Sequence, residues 1–192
     1  MKKIILIGGG GHCKSVIDVI EREAKFKIVG IVDRSKFLGQ KIFGYKIIGN
    51  DLDLKILAKK YKYALITLGQ IKSPTLRVKL YNLAIKAGFI LPSIISPNAY
   101  LSRYSKIGNG CVVMHHAIIN ANSSIGNNCI INSKTLIEHD CSISNHCHIS
   151  TNATINGGVR IGSKCFIGSN VTTKNNIKIM NNSFIKAGTL VK

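Results

Sequence analysis

From Ile95 to the end, the chain repeats every six residues without a gap. The first unit reads Ile95-Ser96-Pro97-Asn98-Ala99-Tyr100, and fifteen more follow it before a closing Val191-Lys192. The first position is aliphatic in every unit except the one that begins at Thr173. The fifth is small or β-branched almost throughout, as in Ala99, Cys111, Ala117, Thr135, Val159 and Val171. A helix of period 3.6 cannot hold a period of six over such a length, and simple two-residue alternation does not produce it either. A parallel β-helix does. Each hexad supplies one short strand and one corner, and three hexads close a triangular coil of 18 residues. The first position points into a narrow core, and the fifth must fit a tight interior corner. Stacked coils then pair through parallel strands roughly 4.8 Å apart. Sixteen hexads make a little over five coils, with a local distortion expected where Thr173 interrupts the aliphatic column.

The repeat also accounts for the cysteines. Five of the six occupy fifth positions, and Cys111, Cys129, Cys147 and Cys165 follow one another at intervals of 18. They are expected to form one interior column, acting as small apolar residues. A linear stack lacks the tetrahedral geometry of a zinc site, so no metal is expected. Cys13 stands apart.

Residues 1–92 follow another pattern and read as a separate domain, with the β-helix taking 93–192. The apolar run 4–7 enters Gly8-Gly9-Gly10-Gly11. A helical stretch follows, with Val16, Ile17, Val19 and Ile20 on one side. A second strand over 28–32 ends at Asp33, and a third over 63–67 ends at Leu68-Gly69. A helix over 74–87 is closed by Gly88. This alternation predicts a small parallel sheet, half of a Rossmann fold. A glycine turn after the first strand brings backbone N–H groups and a helix N-terminus to an anion. An acidic residue ending the second strand can bond a ribose or a base. Cys13 stands where the third glycine of a dinucleotide fingerprint belongs, which points to one nucleotide rather than a dinucleotide. A turn that only packs helix on strand is the alternative.

The net charge of +19, from 27 basic and 8 acidic residues, favours anionic partners. The basic residues are dispersed, and aromatics for base stacking are few, so phosphorylated small molecules fit better than nucleic acid. No apolar run is long enough to cross a bilayer. The opening Met1-Lys2-Lys3 and the short apolar run after it read as a first strand rather than a signal peptide, and a cytoplasmic protein without membrane insertion is expected.

The glycine turn followed by His12, Asp33 after the second strand, and the hexad containing Ile137-Glu138-His139-Asp140-Cys141 together resemble the NeuD/PglD family. These are bacterial sugar O- and N-acyltransferases of the hexapeptide-repeat superfamily, and the resemblance spans nearly the whole chain. It implies a left-handed β-helix, a homotrimer, and acetyl-CoA lying between neighbouring β-helices. The nucleotide-sugar would lie between the N-terminal domain of one subunit and the β-helix of the next. By resemblance His139 is the general base, and Asp140 orients and polarises it. His148 contacts the acetyl-CoA, and the backbone at Gly157, beside Gly158, holds the acetyl carbonyl. Asn132 and His12 line the sugar site, and Asp33 holds the nucleotide. Gly8, Gly10, Gly11 and Gly69 complete the expected substrate site. Members usually continue past the equivalent of Lys192 with further coil and a Gly-x-Pro-Ala-like tail that closes over part of the CoA.

The chemistry agrees with these roles. An amine attacking a thioester must lose a proton, and a histidine near neutrality is a natural acceptor. A neighbouring carboxylate fixes its tautomer and stabilises the imidazolium. Backbone N–H groups can hold the oxyanion. His115, His116 and His146 are read as solvated. Three functions remain open: N-acetylation of the 4-amine of a nucleotide-linked 4-amino-4,6-dideoxy sugar, O-acetylation of a sialic-acid-like sugar, and a non-catalytic nucleotide-binding scaffold.

Overall fold

The computed structural model describes residues 1–192 and divides into two units. One comprises Met1–Gly69 and Thr75–Pro92, the other Gln70–Pro74 and Ser93–Lys192. A run of consecutive apolar residues suits a strand covered on both faces. The first strand, β1 (Lys2–Ile7), is of this kind, and Ile4, Ile5, Leu6 and Ile7 are fully buried. It pairs in parallel with β2 (Phe26–Val32) on one side and β5 (Tyr63–Ile66) on the other. Helix α1 (Gly11–Glu23) buries Cys13, Val16, Ile17, Val19 and Ile20. Helix α3 (Thr75–Ala87) begins just after Pro74, and the chain leaves it through Gly88 at φ +100.

With β3 (Lys41–Ile42) and β4 (Tyr45–Gly49) added, the sheet order is β3-β4-β2-β1-β5. Its far edge is not the purely parallel arrangement expected from strand–helix alternation. β3 and β4 form an antiparallel hairpin. Its two turn residues, Phe43 and Gly44, both have positive φ (47 and 86), as a type I′ turn requires. Phenylalanine rarely takes that conformation, so its presence masked the turn. Helix α2 (Leu54–Lys60) is short and also escaped the reading. A three-residue helical turn at Asp51–Asp53 precedes it. There the Asn50 side chain accepts from Leu52 N–H, while Asp53 accepts from Asn50 N–H.

In the second unit, seventeen two-residue strands stack into three parallel sheets, the faces of a left-handed β-helix. Partners lie 18 residues apart, as in Ile119 with Ile137 and Ile131 with Ile149. First-position isoleucines and fifth-position cysteines, alanines and valines fill one continuous core. The fourth position, which the sequence pattern did not single out, turns every corner from Gly110 onward in the left-handed conformation. Asn122, Asn128, Asp140, Asn152, Asn170 and Gly158 all stand there with φ between 55 and 71. Asparagine, aspartate and glycine tolerate this region best.

The fifth position carries a further regularity. Cys111, Cys129, Cys147 and Cys165 each direct Sγ at a carbonyl 15 residues on, at 3.0 to 3.2 Å. Ser123 and Thr135 donate to their counterparts, Glu138 O and Ser150 O. Where the fifth position holds one of these residues, it is therefore a small donor serving a corner carbonyl of the next coil. At Thr173 the ladder changes as the sequence foreshadowed. Asn156 N–H donates to Thr173 Oγ1 (2.9 Å), and Asn156 Nδ2 donates to Thr173 O (2.6 Å), in place of the usual strand bond.

Candidate active site

The β-helix positions His139 and Asp140 at one corner. Its left-handed turn (φ 61 at Asp140) swings the carboxylate back beside the preceding ring, where His139 Nδ1 and Asp140 Oδ2 are 2.7 Å apart. Both side chains are exposed. With Nδ1 donating to the carboxylate, the neutral ring presents Nε2 as a proton acceptor. The second carboxylate oxygen accepts from Asn122 Nδ2 at 2.7 Å. The Asn122 amide first, and His139 second, hold the Asp140 carboxyl below the usual carboxylate range. One coil on, Gly157 lies under the ring. A Cβ there would come within 2.8 Å of His139 Nε2 and Cε1, so only glycine leaves the imidazole its place. Gly158, next to it, takes the corner at φ +71 and donates its N–H to His139 O.

His148 is placed differently. Its side chain is buried, with Nδ1 donating to Gln70 O and Asn132 Nδ2 3.3 Å from Nε2. It also meets the edge of Phe166, which stacks on Phe184. Asn132 and His148, read from the sequence as belonging to different ligands, thus form one pair. Gln70, which no sequence signal marked, ties it down by donating Nε2 to His146 O (2.9 Å) and Cys165 O (3.4 Å).

In the α/β unit, Gly8 (φ +105) turns the chain out of β1, and its carbonyl accepts from Thr67 Oγ1 at 2.6 Å. Asp33 Oδ2 accepts from Gly9 N–H (2.6 Å), and Oδ1 accepts from Arg34 N–H (2.6 Å). A Cβ at position 9 would stand 2.8 Å from that carboxylate, so Gly9, absent from the expected set, is the glycine Asp33 requires. Gly10 caps α1 and Gly11 opens it. Gly9, Gly10, Asp33, Arg34, Phe37 and Phe43 are among the residues lining a cavity of about 480 Å³, with Lys14 and Lys41 supplying positive charge. Ligand sites commonly have this size. Gly69 packs against His12 on the loop after β5, away from that lining. The buried Arg77 fixes this loop by donating to Ile66 O (2.9 Å) and Leu68 O (2.6 Å). Cys13 is fully buried, and burial pushes its thiol up to about 11. No helix is long and apolar enough to cross a membrane.

The α/β unit and the hexapeptide β-helix together are those of sugar acetyltransferases. The model for the PglD N-terminal domain matches residues 3–82, and that for the bacterial transferase hexapeptide repeat matches 104–139 and 140–175. A histidine-to-asparagine variant of perosamine N-acetyltransferase from Caulobacter crescentus, in complex with CoA and GDP-perosamine, is 30% identical with a TM-score of 0.94. That match covers 100% of this chain and 89% of the other. The acetyltransferase domain of PglB from Neisseria gonorrhoeae, in complex with acetyl coenzyme A, is 28% identical with a TM-score of 0.87, covering 98% and 95%. No curated protein matches by sequence. The chain belongs to the NeuD/PglD family of sugar acyltransferases.

Proposed function

We propose that the protein transfers the acetyl group of acetyl-CoA to the 4-amino group of a nucleotide-linked 4-amino-4,6-dideoxy sugar. The observation that carries this reading is the His139–Asp140 pair, with Nδ1 at 2.7 Å from the carboxylate and Nε2 over Gly157. The amine nitrogen attacks the thioester carbon as His139 Nε2 takes its proton. Asp140 stabilises the imidazolium that forms. The C–S bond then breaks, and the proton passes from His139 to the departing sulfur. The backbone N–H of Gly157 is assigned to the oxyanion, since that of Gly158 is given to His139 O. The cavity of the α/β unit is assigned the nucleotide, with the α1 N-terminus, Lys14, Arg34 and Lys41 facing its phosphates and Phe37 and Phe43 its base. His148 and Asn132 are assigned to acetyl-CoA and the sugar. The buried His148 ring, with the half-buried Asn132 amide beside it, supports a shaping role for this wall. The N-acetyl activity of the perosamine enzyme favours an amine acceptor over a hydroxyl. A trimer is part of this reading. One sheet face carries outward Tyr100, Ile118 and Leu190, all exposed and apolar, and these need a partner surface.

The test is release of free CoA from acetyl-CoA with GDP- and UDP-linked 4-amino-4,6-dideoxy sugars and with a sialic acid, beside His139→Ala. Release with an amino sugar, reduced roughly hundredfold or more in the variant, is expected. Release with the sialic acid alone would make the acceptor a hydroxyl. Undiminished turnover in the variant would remove His139 as the base.

A further inference from the structure

The corner one coil before Asp140 holds a donor that the chemistry above leaves unused. Asn122 stands 18 residues earlier, in the same left-handed conformation (φ 60 against 61), and its Nδ2 lies 2.7 Å from Asp140 Oδ1. The other carboxylate oxygen faces His139 Nδ1 at the same distance. We propose that Asn122 is a positioning residue for acetyl transfer: by anchoring the far oxygen of Asp140 it holds the carboxylate plane, and so the His139 ring, with Nδ1 protonated and Nε2 free for the acceptor.

The inference rests on His139 being the base, and three observations support it. First, the His139–Asp140 pair is exposed, and a single exposed ion pair between adjacent residues holds its geometry weakly. A second bond to the carboxylate removes the rotation that the first permits. Second, the anchor is a neutral amide. A lysine there would cancel part of the charge that Asp140 offers the imidazolium, whereas asparagine orients the carboxylate and leaves that charge intact. It also keeps the carboxyl ionised, as its lowered pKa reflects. Third, the chain is built so that this anchor falls in place. The repeat of 18 sets corner residues in columns, and Asn152 Nδ2 meets Asn170 Oδ1 at 2.6 Å in the same relation. At Asn122 and Asp140 that structural ladder has been joined to a histidine.

The rival role for Asn122 is simply to turn the corner, and glycine separates the two. Gly110, Gly158 and Gly188 hold the same hexad position at positive φ, so Asn122→Gly keeps the backbone while deleting the donor. In the full chain labelled with ¹⁵N-histidine, with the His139 signals assigned by their loss in His139→Ala, the imidazole shifts report the tautomer without any substrate. The wild type is expected to show Nδ1–H, and Asn122→Gly to shift toward the Nε2–H form, as Asp140→Gly would. With acetyl-CoA and an accepted amino sugar, Asn122→Gly should lower kcat about tenfold with both KM values within twofold. It should add no loss in the Asp140→Gly background. An unchanged tautomer, or an equal loss when Asp140 is already gone, would overturn the proposal. If no acceptor is turned over, the proposed function fails on its own account, and the tautomer still decides the role of Asn122.

Discussion

In the β-helix, the surroundings of a side chain follow from its residue number. Asn122, Asp140 and Gly158 share a column because they differ by 18, and so do His139 and Gly157. In the α/β unit, no number predicts that Asp33 will meet Gly9, 24 residues away, or that Arg77 will fasten the loop after β5. Those contacts arise where strands end and loops converge. The difference teaches where each unit is sensitive. A regular column transmits a change to the next coil, whereas a loop-built cavity localises it.

Gly157→Ala should show the larger effect. Gly157 does not adopt the left-handed conformation, so alanine is tolerable to the backbone, but its Cβ would stand 2.8 Å from His139 Nε2. The ring must move, and displacement by about 1 Å of a reacting group can cost roughly a hundredfold in rate. We expect kcat to fall by that order, with the thermal midpoint nearly unchanged, measured by CoA release and a melting curve. Wild-type turnover would mean that His139 works from another position.

Asp33→Ala, the counterpart in the α/β unit, should act on binding alone. It frees the N–H groups of Gly9 and Arg34 and loosens the glycine turn that lines the cavity. KM for the nucleotide-sugar is expected to rise about tenfold, which corresponds to one lost charged hydrogen bond. KM for acetyl-CoA and kcat should hold. A fall in kcat with an unchanged sugar KM would move Asp33 out of the nucleotide site.

The same contrast governs what could be read from sequence. The hexad register fixed the core of the β-helix because its interior admits only two kinds of position, and the cysteine column followed from it. His139 and Asp140 stood out as neighbours with complementary chemistry, and the family resemblance decided their assignment. Asn122 was not, because asparagine is common at left-handed corners, and nothing marks one corner as functional until the coil stacks it on a carboxylate. Gln70 lies in a stretch without periodicity, and its contacts, 76 and 95 residues away, depend on tertiary structure. In the α/β unit the buried strands announced themselves, while the β3–β4 hairpin hid behind a phenylalanine in a glycine-like conformation.

A smaller effect, on stability rather than activity, separates donors from mere fillers in the column. Thr135 is fully buried and donates to Ser150 O at 3.0 Å. Val159 and Val171 occupy the same hexad position, so Thr135→Val fits the space but removes one of the two donors to Ser150 O, which keeps the Ala153 N–H at 3.2 Å. We expect a loss of about 1 kcal/mol in denaturant unfolding with activity unchanged. A neutral result would reduce the fifth position to a question of size.

The last effect is silent at neutral pH and concerns Cys13, the one cysteine outside the β-helix. Cys129 and Cys165 are held above the ordinary thiol value, first by hydrogen bonds from neighbouring thiols and then by burial. Cys13 owes its rise from 9.0 to about 11 first to burial, partly offset by Thr67. A thiol raised on folding binds its proton more tightly in the native state. Its contribution is complete below pH 9 and is lost as pH climbs through 9 toward 11. Two pKa units correspond to about 3 kcal/mol. The melting midpoint should therefore fall more steeply between pH 9 and 11 in the wild type than in Cys13→Ala, while the two curves run parallel below pH 8. Parallel curves throughout would mean that the α/β core admits enough water to ionise Cys13 without unfolding. The unit that binds through loops would then be the softer of the two in its interior as well.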